Sequence, residues 1–335
     1  VPANRVEDPF RPAFWVRNPN VQSILPSLTL RRPAVVRRCA QLIGRSRQMI
    51  LDCGDGVRLL GFGADARRPA SAGGPPQLAV ILHGWEGSAN SMYVLSLGQY
   101  LLERGFDVFR LNLRDHGESH HLNREIFHSC RLAEVVGAVR ALAEIFPHHR
   151  RVFAGFSLGG NFALRVGAAL GPDTRTLERI VAISPVLDPE NTLAALEGGL
   201  ALYRNYFIKK WRRSLAIKQS AWSSDFDFSR LSRMRTLTEM TDHLVRNHTQ
   251  YPNLADYLRG YAITGSTLQN LRIRSRIIAS VDDPIIPSAD LPRLKRSSSL
   301  RITLTECGGH CGFRERLLGG GWLHRQVGSE FDPPR

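Results

Sequence analysis

The chain has 335 residues, 43% of them hydrophobic and 22% charged, long for one ordinary domain but normal for a core that carries an insertion. No run approaches the roughly 18 to 20 apolar residues that cross a bilayer, so the composition excludes a helical membrane protein and predicts a soluble, globular one. The formal net charge of +15 raises nucleic acid as a partner, but Lys209, Lys210, Lys218 and Lys295 are the only lysines, the arginines are spread along the chain, and no basic block is interleaved with aromatics; no nucleic-acid partner is expected, and a weak contact with an anionic membrane surface is.

Val1 to Arg17 is rich in Pro, Arg and aromatics and lacks the apolar core and small-residue cleavage site of a secretory leader. Residues 1–46 are expected to form an arm packed on the domain, with Arg17-Asn18-Pro19 as a turn and Ile24-Leu25-Pro26 as a short apolar plug. Two short strands, Gln48 to Asp52 and Val57 to Gly63, are predicted to form a hairpin at Gly54-Asp55-Gly56, where glycine supplies the positive φ of a tight turn. The stretch Arg67 to Gln77, with Pro69, Gly73, Gly74, Pro75 and Pro76, reads as a turn-rich connection into the apolar strand Leu78 to Leu82. Strand and helix then alternate. Helices are predicted over Leu95–Glu103, Arg131–Ile145 and Leu158–Leu170, and strands over Val108–Leu113, Arg151–Gly155 and Ile180–Ser184. Such alternation implies right-handed crossovers and a mostly parallel sheet. From about Asp188 to Leu271 the sequence is helical, polar and aromatic without an apolar β run, and residues 188–271 are expected to be a helical cap inserted into a core of 47–187 and 272–335. Strands resume at Ser275–Val281 and Leu300–Thr305, before a last amphipathic stretch around Trp322 to Val327.

The segment Gly155-Phe156-Ser157-Leu158-Gly159 has the form G-x-S-x-G and joins a predicted strand to a predicted helix. In that setting the serine sits on a sharp turn, the glycines remove colliding side chains, and the helix N-terminus favours developing negative charge. A serine hydroxyl needs a base, and the base needs an acid to fix its tautomer. In chain order, Asp282-Asp283-Pro284 closes one strand and Gly308-Gly309-His310 follows the last. The expected triad is therefore Ser157, His310 and Asp283, with Asp283 favoured because it immediately precedes the turn proline and Asp282 as the alternative. The oxyanion needs two backbone N–H donors, and the residues expected to supply them are Leu158, after the nucleophile, and Trp85, in His83-Gly84-Trp85-Glu86-Gly87-Ser88. His83 is expected to brace that loop.

The histidines His116, His120, His121 and His128 lie around Arg114-Asp115-His116-Gly117-Glu118-Ser119 and read as a structural loop with solvated imidazoles, since no metal-ligand spacing is present. His148-His149 reads as a surface turn. Cys39, Cys53, Cys130, Cys307 and Cys311 are an odd, sparse set, pointing to reduced thiols and a cytoplasmic setting. Cys307 and Cys311 flank His310, but no second CxxC or His pair accompanies them, so neither metal nor cofactor is expected.

With these residues in hand, the chain resembles the YheT-type branch of the α/β hydrolases, which contains bacterial hydrolases and mammalian membrane-associated ester and phospholipid hydrolases. The resemblance rests on Phe14-Trp15-Val16-Arg17-Asn18-Pro19-Asn20-Val21-Gln22-Ser23-Ile24-Leu25-Pro26, on the loop His83 to Ser88, on Gly155 to Asn161, on Asp282-Asp283-Pro284 and on Gly308-Gly309-His310-Cys311-Gly312-Phe313. It implies that the arm is a fixed part of the fold. Two segments depart from the branch's pattern. The loop Arg114 to Ser119 replaces the commoner Arg-Gly-Cys-Gly, and only fragments of an Asp-rich segment remain near Met240-Thr241-Asp242-His243. The expected function is hydrolysis of carboxylic esters of short to medium acyl chains through an acyl-serine intermediate. The alternatives are a membrane-surface phospholipase or acyltransferase, or a non-catalytic binding protein on the same scaffold.

Overall fold

A computed structural model describes residues 8–67, 74–171, 173, 175–295, 297–316 and 321–332. The predicted Pro69 and Gly73 turn positions and the segment Val1 to Glu7 lie outside the described residues. The arm is more structured than a turn and a plug. Asn18 caps α1 (Pro19–Ile24), accepting from the amides of Asn20 and Val21 at 2.9 and 3.3 Å, with proline at the first helical position, where its missing N–H is not needed. Helices α2 (Arg32–Arg38) and α3 (Ala40–Arg45) lead to β1 (Arg47–Asp52) and β2 (Arg58–Ala64).

The core then runs β3 (Gln77–Leu82), α4 (Met92–Glu103), β4 (Asp107–Leu111), α5 (Leu132–Ile145), β5 (Arg150–Phe156), α6 (Leu158–Leu170) and β6 (Arg179–Ile183). After β6 come α7 (Pro189–Gly198), α8 (Ala201–Ala221), α9 (Leu237–His248) and α10 (Leu254–Arg259). Asp188 caps α7, and a Thr236/Glu239 capping box starts α9. The chain ends with β7 (Arg274–Ser280), β8 (Leu300–Thr305) and α11 (Trp322–Phe331).

The eight strands form one sheet in the order β1-β2-β4-β3-β5-β6-β7-β8, antiparallel at β1-β2 and β2-β4 and parallel elsewhere. Side-chain alternation divides the core by face. Leu78, Val80 and Leu82 of β3 pack in a cluster with α5 and α6, while Ala79 and Ile81 pack with α3, α4 and α11. A strand buried on both faces reads in sequence as an unbroken apolar run, as β3 does. The carboxyl ends of β5 and β7 and the loop after β8 carry the residues expected to do chemistry. Among the described residues no helix is long and apolar enough to cross a membrane.

Candidate active site

Ser157 stands between the end of β5 and the start of α6 at φ 53° and ψ −118°, a conformation that costs a non-glycine residue roughly 1–3 kcal/mol and persists only when its surroundings enforce it. Both flanking glycines are required by contact. A Cβ on Gly155 would lie 2.2 Å from the Gly159 carbonyl oxygen, and one on Gly159 would lie 2.4 Å from that of His83. The Ser157 amide donates to Ile183 O at 2.8 Å, so the neighbouring strand holds the turn.

The two acids after β7 have different partners. Asp283 Oδ1 accepts from the amides of Ile285 and Ile286, both at 2.9 Å, a local turn that pins the carboxylate. Its Oδ2 lies 2.9 Å from His310 Nδ1, and His310 Nε2 lies 3.0 Å from Ser157 Oγ. Asp282 Oδ1 instead accepts from the Gly309 amide at 2.9 Å, tethering the loop that carries the histidine. Burial works against a charged His310, but the Asp283 carboxylate, with Cys311 beside it, outweighs burial and holds the imidazole well above its usual value.

The loop after β3 abuts Ser157: a Cβ on Gly84 would lie 3.1 Å from Ser157 Cβ. Among the described residues, no protein group accepts a hydrogen bond from the amides of Trp85 and Leu158. Two neutral imidazoles brace this loop. His83 Nδ1 donates to Gly84 O at 2.7 Å and its Nε2 accepts from the Leu113 amide at 3.2 Å. His116 Nδ1 donates to Arg114 O at 2.7 Å and its Nε2 accepts from the Glu86 amide at 3.2 Å. Burial pushes His83 down to about 4 and His116 well below imidazole's usual value, which keeps the accepting nitrogens free of protons. The expectation of solvated imidazoles is therefore corrected. His116 and His120 are buried where α8 lies over their loop, His128 is buried against Tyr251 and Tyr257, and of the four only His121 stays exposed. His148 is exposed as expected, while His149 is half-buried and bonds Asp107.

Two groups of positioning residues escaped the sequence reading. The first is on the arm: Ser23 Oγ accepts from the His310 amide at 2.8 Å, and Gln22, fully buried, exchanges hydrogen bonds with the Arg314 backbone at 2.8 and 2.9 Å. Close packing of the arm also explains two glycines of the histidine loop, since a Cβ on Gly309 or Gly312 would strike the backbone of Pro19 or Gln22. The second group is on α8. Phe207 stacks on Trp85 at 5.2 Å, Trp211 meets it edge-on at 5.0 Å, and Lys210 Nζ donates to Glu86 O at 2.7 Å. Their spacing of three and four places them on one helix face. Further along, the buried Lys218 pairs with Asp115 at 2.9 Å.

Between the sheet and α7–α10 lies a cavity of about 300 Å³, lined by Ser157, His310, Trp85 and apolar side chains such as Leu193, Leu196 and Leu244. Glu86 also lines it; burial raises its carboxyl to about 8, with Lys210 opposing the shift. All five cysteines are free thiols, and among the described residues no three His, Cys, Asp or Glu side chains are grouped to hold a metal.

Known proteins share this architecture. The α/β hydrolase fold family matches residues 79–317. The protein named "Putative esterase YheT" from Escherichia coli (strain K12) is 27% identical over 329 residues, covering 97% of this chain and 92% of its own. Phospholipase ABHD3 of Bos taurus is 21% identical over 318 residues, covering 93% of this chain and 75% of its own. Among solved structures, the Pyrococcus furiosus esterase Pf2001 superposes with a TM-score of 0.57 at 17% identity, covering 88% of this chain and 91% of that one, a likeness of fold. The family match spans well over half of the sequence and the sheet has the corresponding mostly parallel form: the chain belongs to the α/β hydrolase fold family.

Proposed function

We propose that this hydrolase cleaves carboxylic esters through an acyl-serine intermediate, with Ser157 as nucleophile, His310 as general base and acid, and Asp283 as the group that orients the imidazole. The observation that carries this reading is the unbroken relay Asp283 Oδ2 to His310 Nδ1 at 2.9 Å and His310 Nε2 to Ser157 Oγ at 3.0 Å, opening on an apolar cavity. Ser157 Oγ attacks the ester carbonyl while its proton moves to His310 Nε2. The resulting imidazolium is stabilised by Asp283, and the negative charge on the former carbonyl oxygen is met by the N–H groups of Trp85 and Leu158. Collapse expels the alcohol, which takes the proton from Nε2. Water, activated by the same nitrogen, then repeats the sequence and frees the acid. Each oxyanion donor is worth about 2.7–4 kcal/mol in such reactions.

The helices α7–α10 serve in this reading as the cap, and a cavity of about 300 Å³, at the small end of ligand pockets, suits acyl chains of short to medium length. The test is hydrolysis of p-nitrophenyl esters from acetyl to palmitoyl by wild type and by Ser157→Ala. Turnover abolished in the variant, with an optimum among the shorter chains, is expected. Equal turnover by both proteins, or none at any length, would remove the esterase reading.

A further inference from the structure

The positive charge is distributed unevenly about the pocket. Residues 9–51 contain eight arginines, and residues 198–224 contain six lysines and arginines; neither segment contains a single Asp or Glu. The fold brings these two segments together at the pocket. Ser27 and Arg32 of the arm line it from one side and Tyr206 and Lys210 of α8 from the other, and the Tyr203 hydroxyl donates to Asn20 Oδ1 at 2.9 Å across the junction.

Close in the chain to these lining residues, apolar side chains face solvent. Leu28 and Leu30, just after Ser27, are 39% and 87% exposed, while Leu200, Leu202 and Tyr206 are 51%, 58% and 42% exposed. Leu202 sits one turn before Tyr206 on α8, and so on the face that reaches the pocket. The nearby cations are not neutralised internally. Among the described residues, Arg31, Arg32, Arg37, Arg38, Lys209 and Arg213 form no ion pair with a carboxylate.

We infer that the pocket rim formed by residues 27–38 and the first half of α8 is a docking surface for an anionic lipid bilayer, through which a lipid ester passes from the membrane into the site. Exposed leucines and unpaired cations in the two segments that supply Ser27, Arg32, Tyr206 and Lys210 to the pocket match the two requirements of interfacial binding, apolar side chains to enter the headgroup boundary and positive charge to meet anionic lipid. A polyanion such as nucleic acid would use the cations and gain little from the leucines. The inference names the source of substrate for the site and in that respect rests on the ester-hydrolase reading, although the surface binds whether or not Ser157 reacts.

The experiment is co-sedimentation of the Ser157→Ala protein with vesicles of phosphatidylcholine alone and of phosphatidylcholine with phosphatidylglycerol. Binding is expected only to the anionic vesicles and should weaken as salt screens the surface. Leu30→Asp/Leu202→Asp should abolish it. Arg37→Gln/Arg38→Gln/Lys209→Gln should weaken it roughly a hundred-fold, about five-fold for each cation. In the wild-type background, both sets should leave turnover of soluble p-nitrophenyl butyrate unchanged. The inference is overturned if anionic vesicles are not bound, if the leucine variant binds as well as its parent, or if duplex DNA of equal charge is bound as tightly with the same indifference to the leucines. A protein that binds vesicles but turns over no ester would remove the esterase reading and leave the docking surface standing.

Discussion

Replacing Lys218 with methionine tests the connection between α8 and the loop beneath it. The ammonium is 1% exposed and bonds Asp115 Oδ1 at 2.9 Å and the carbonyls of Asn123, Glu125 and His120 at 2.5, 3.2 and 3.4 Å. Methionine fills similar volume but leaves Asp115 buried without its counter-ion, a change that costs about 3–5 kcal/mol when one partner of a buried pair is removed. Burial already raises the Asp115 carboxyl to about 6 against the pull of Lys218, so without the lysine it takes up a proton and recovers part of the loss. The expected destabilisation is therefore near the lower end, about 3 kcal/mol, or a fall in Tm of roughly 4 °C. Adding Asp115→Asn removes the orphaned charge, so the double variant should be less destabilised than the sum of the singles by about 1–3 kcal/mol. Urea unfolding followed by circular dichroism measures all four proteins of the cycle. Below the transition, ester turnover of Lys218→Met should also drop, because α8 holds Trp85 and the Asp115 loop carries His116. A single variant within about 1 kcal/mol of wild type, or singles that simply add, would refute the account of Lys218 as an anchor.

The two neighbouring acids should separate in kinetics: Asp283→Asn lowers kcat about 10⁴-fold by favouring the wrong tautomer, whereas Asp282→Asn replaces a charged acceptor of the Gly309 amide with a neutral one and costs about 1 kcal/mol of stability with a small effect on kcat. Because His310 is held above imidazole's usual value, the acid limb of kcat/KM should lie above about pH 6.5 in wild type and move down in Asp283→Asn. The sign for stability is the reverse. With its folded value raised, His310 contributes stability fully present below about pH 6.5 and lost as pH rises through that folded value, a trend that pH-dependent unfolding should record. Ser23→Ala leaves the His310 amide without its acceptor and should reduce kcat about ten-fold, equivalent to about 1.4 kcal/mol, with KM little changed; Ser23→Thr should restore it, and equal losses in Ala and Thr would argue against positioning through the hydroxyl.

Much of this protein was readable before folding because the information is local. The inner strands β3 and β6 announce themselves as apolar runs since both of their faces are buried, whereas β8, at the sheet edge, spans the predicted Leu300–Thr305 with partly exposed residues that alternate apolar and polar. The elbow is legible because only glycines tolerate the contacts at 155 and 159 around a turn at Ser157. Chain order alone set Asp282, Asp283 and His310 after the serine, in the sequence that an α/β hydrolase uses.

What tertiary structure alone decided is which distant groups complete those local motifs. Ser23 and Gln22 bond the histidine loop across separations of 287 and 292 residues, and nothing in an isolated serine or glutamine marks such a partner. Nothing in the chain around His116 marks it as buried; it is buried because α8 closes over it, satisfying its loop with a lysine from about a hundred positions away. The acid-free segments were present in the sequence, but their meeting at one pocket opening depends on the packing of the arm against α8. Hydrogen-bond satisfaction and burial are properties of neighbours in space, so the order of Ser157, Asp283 and His310 could be read from the chain, and the contacts that hold them could not.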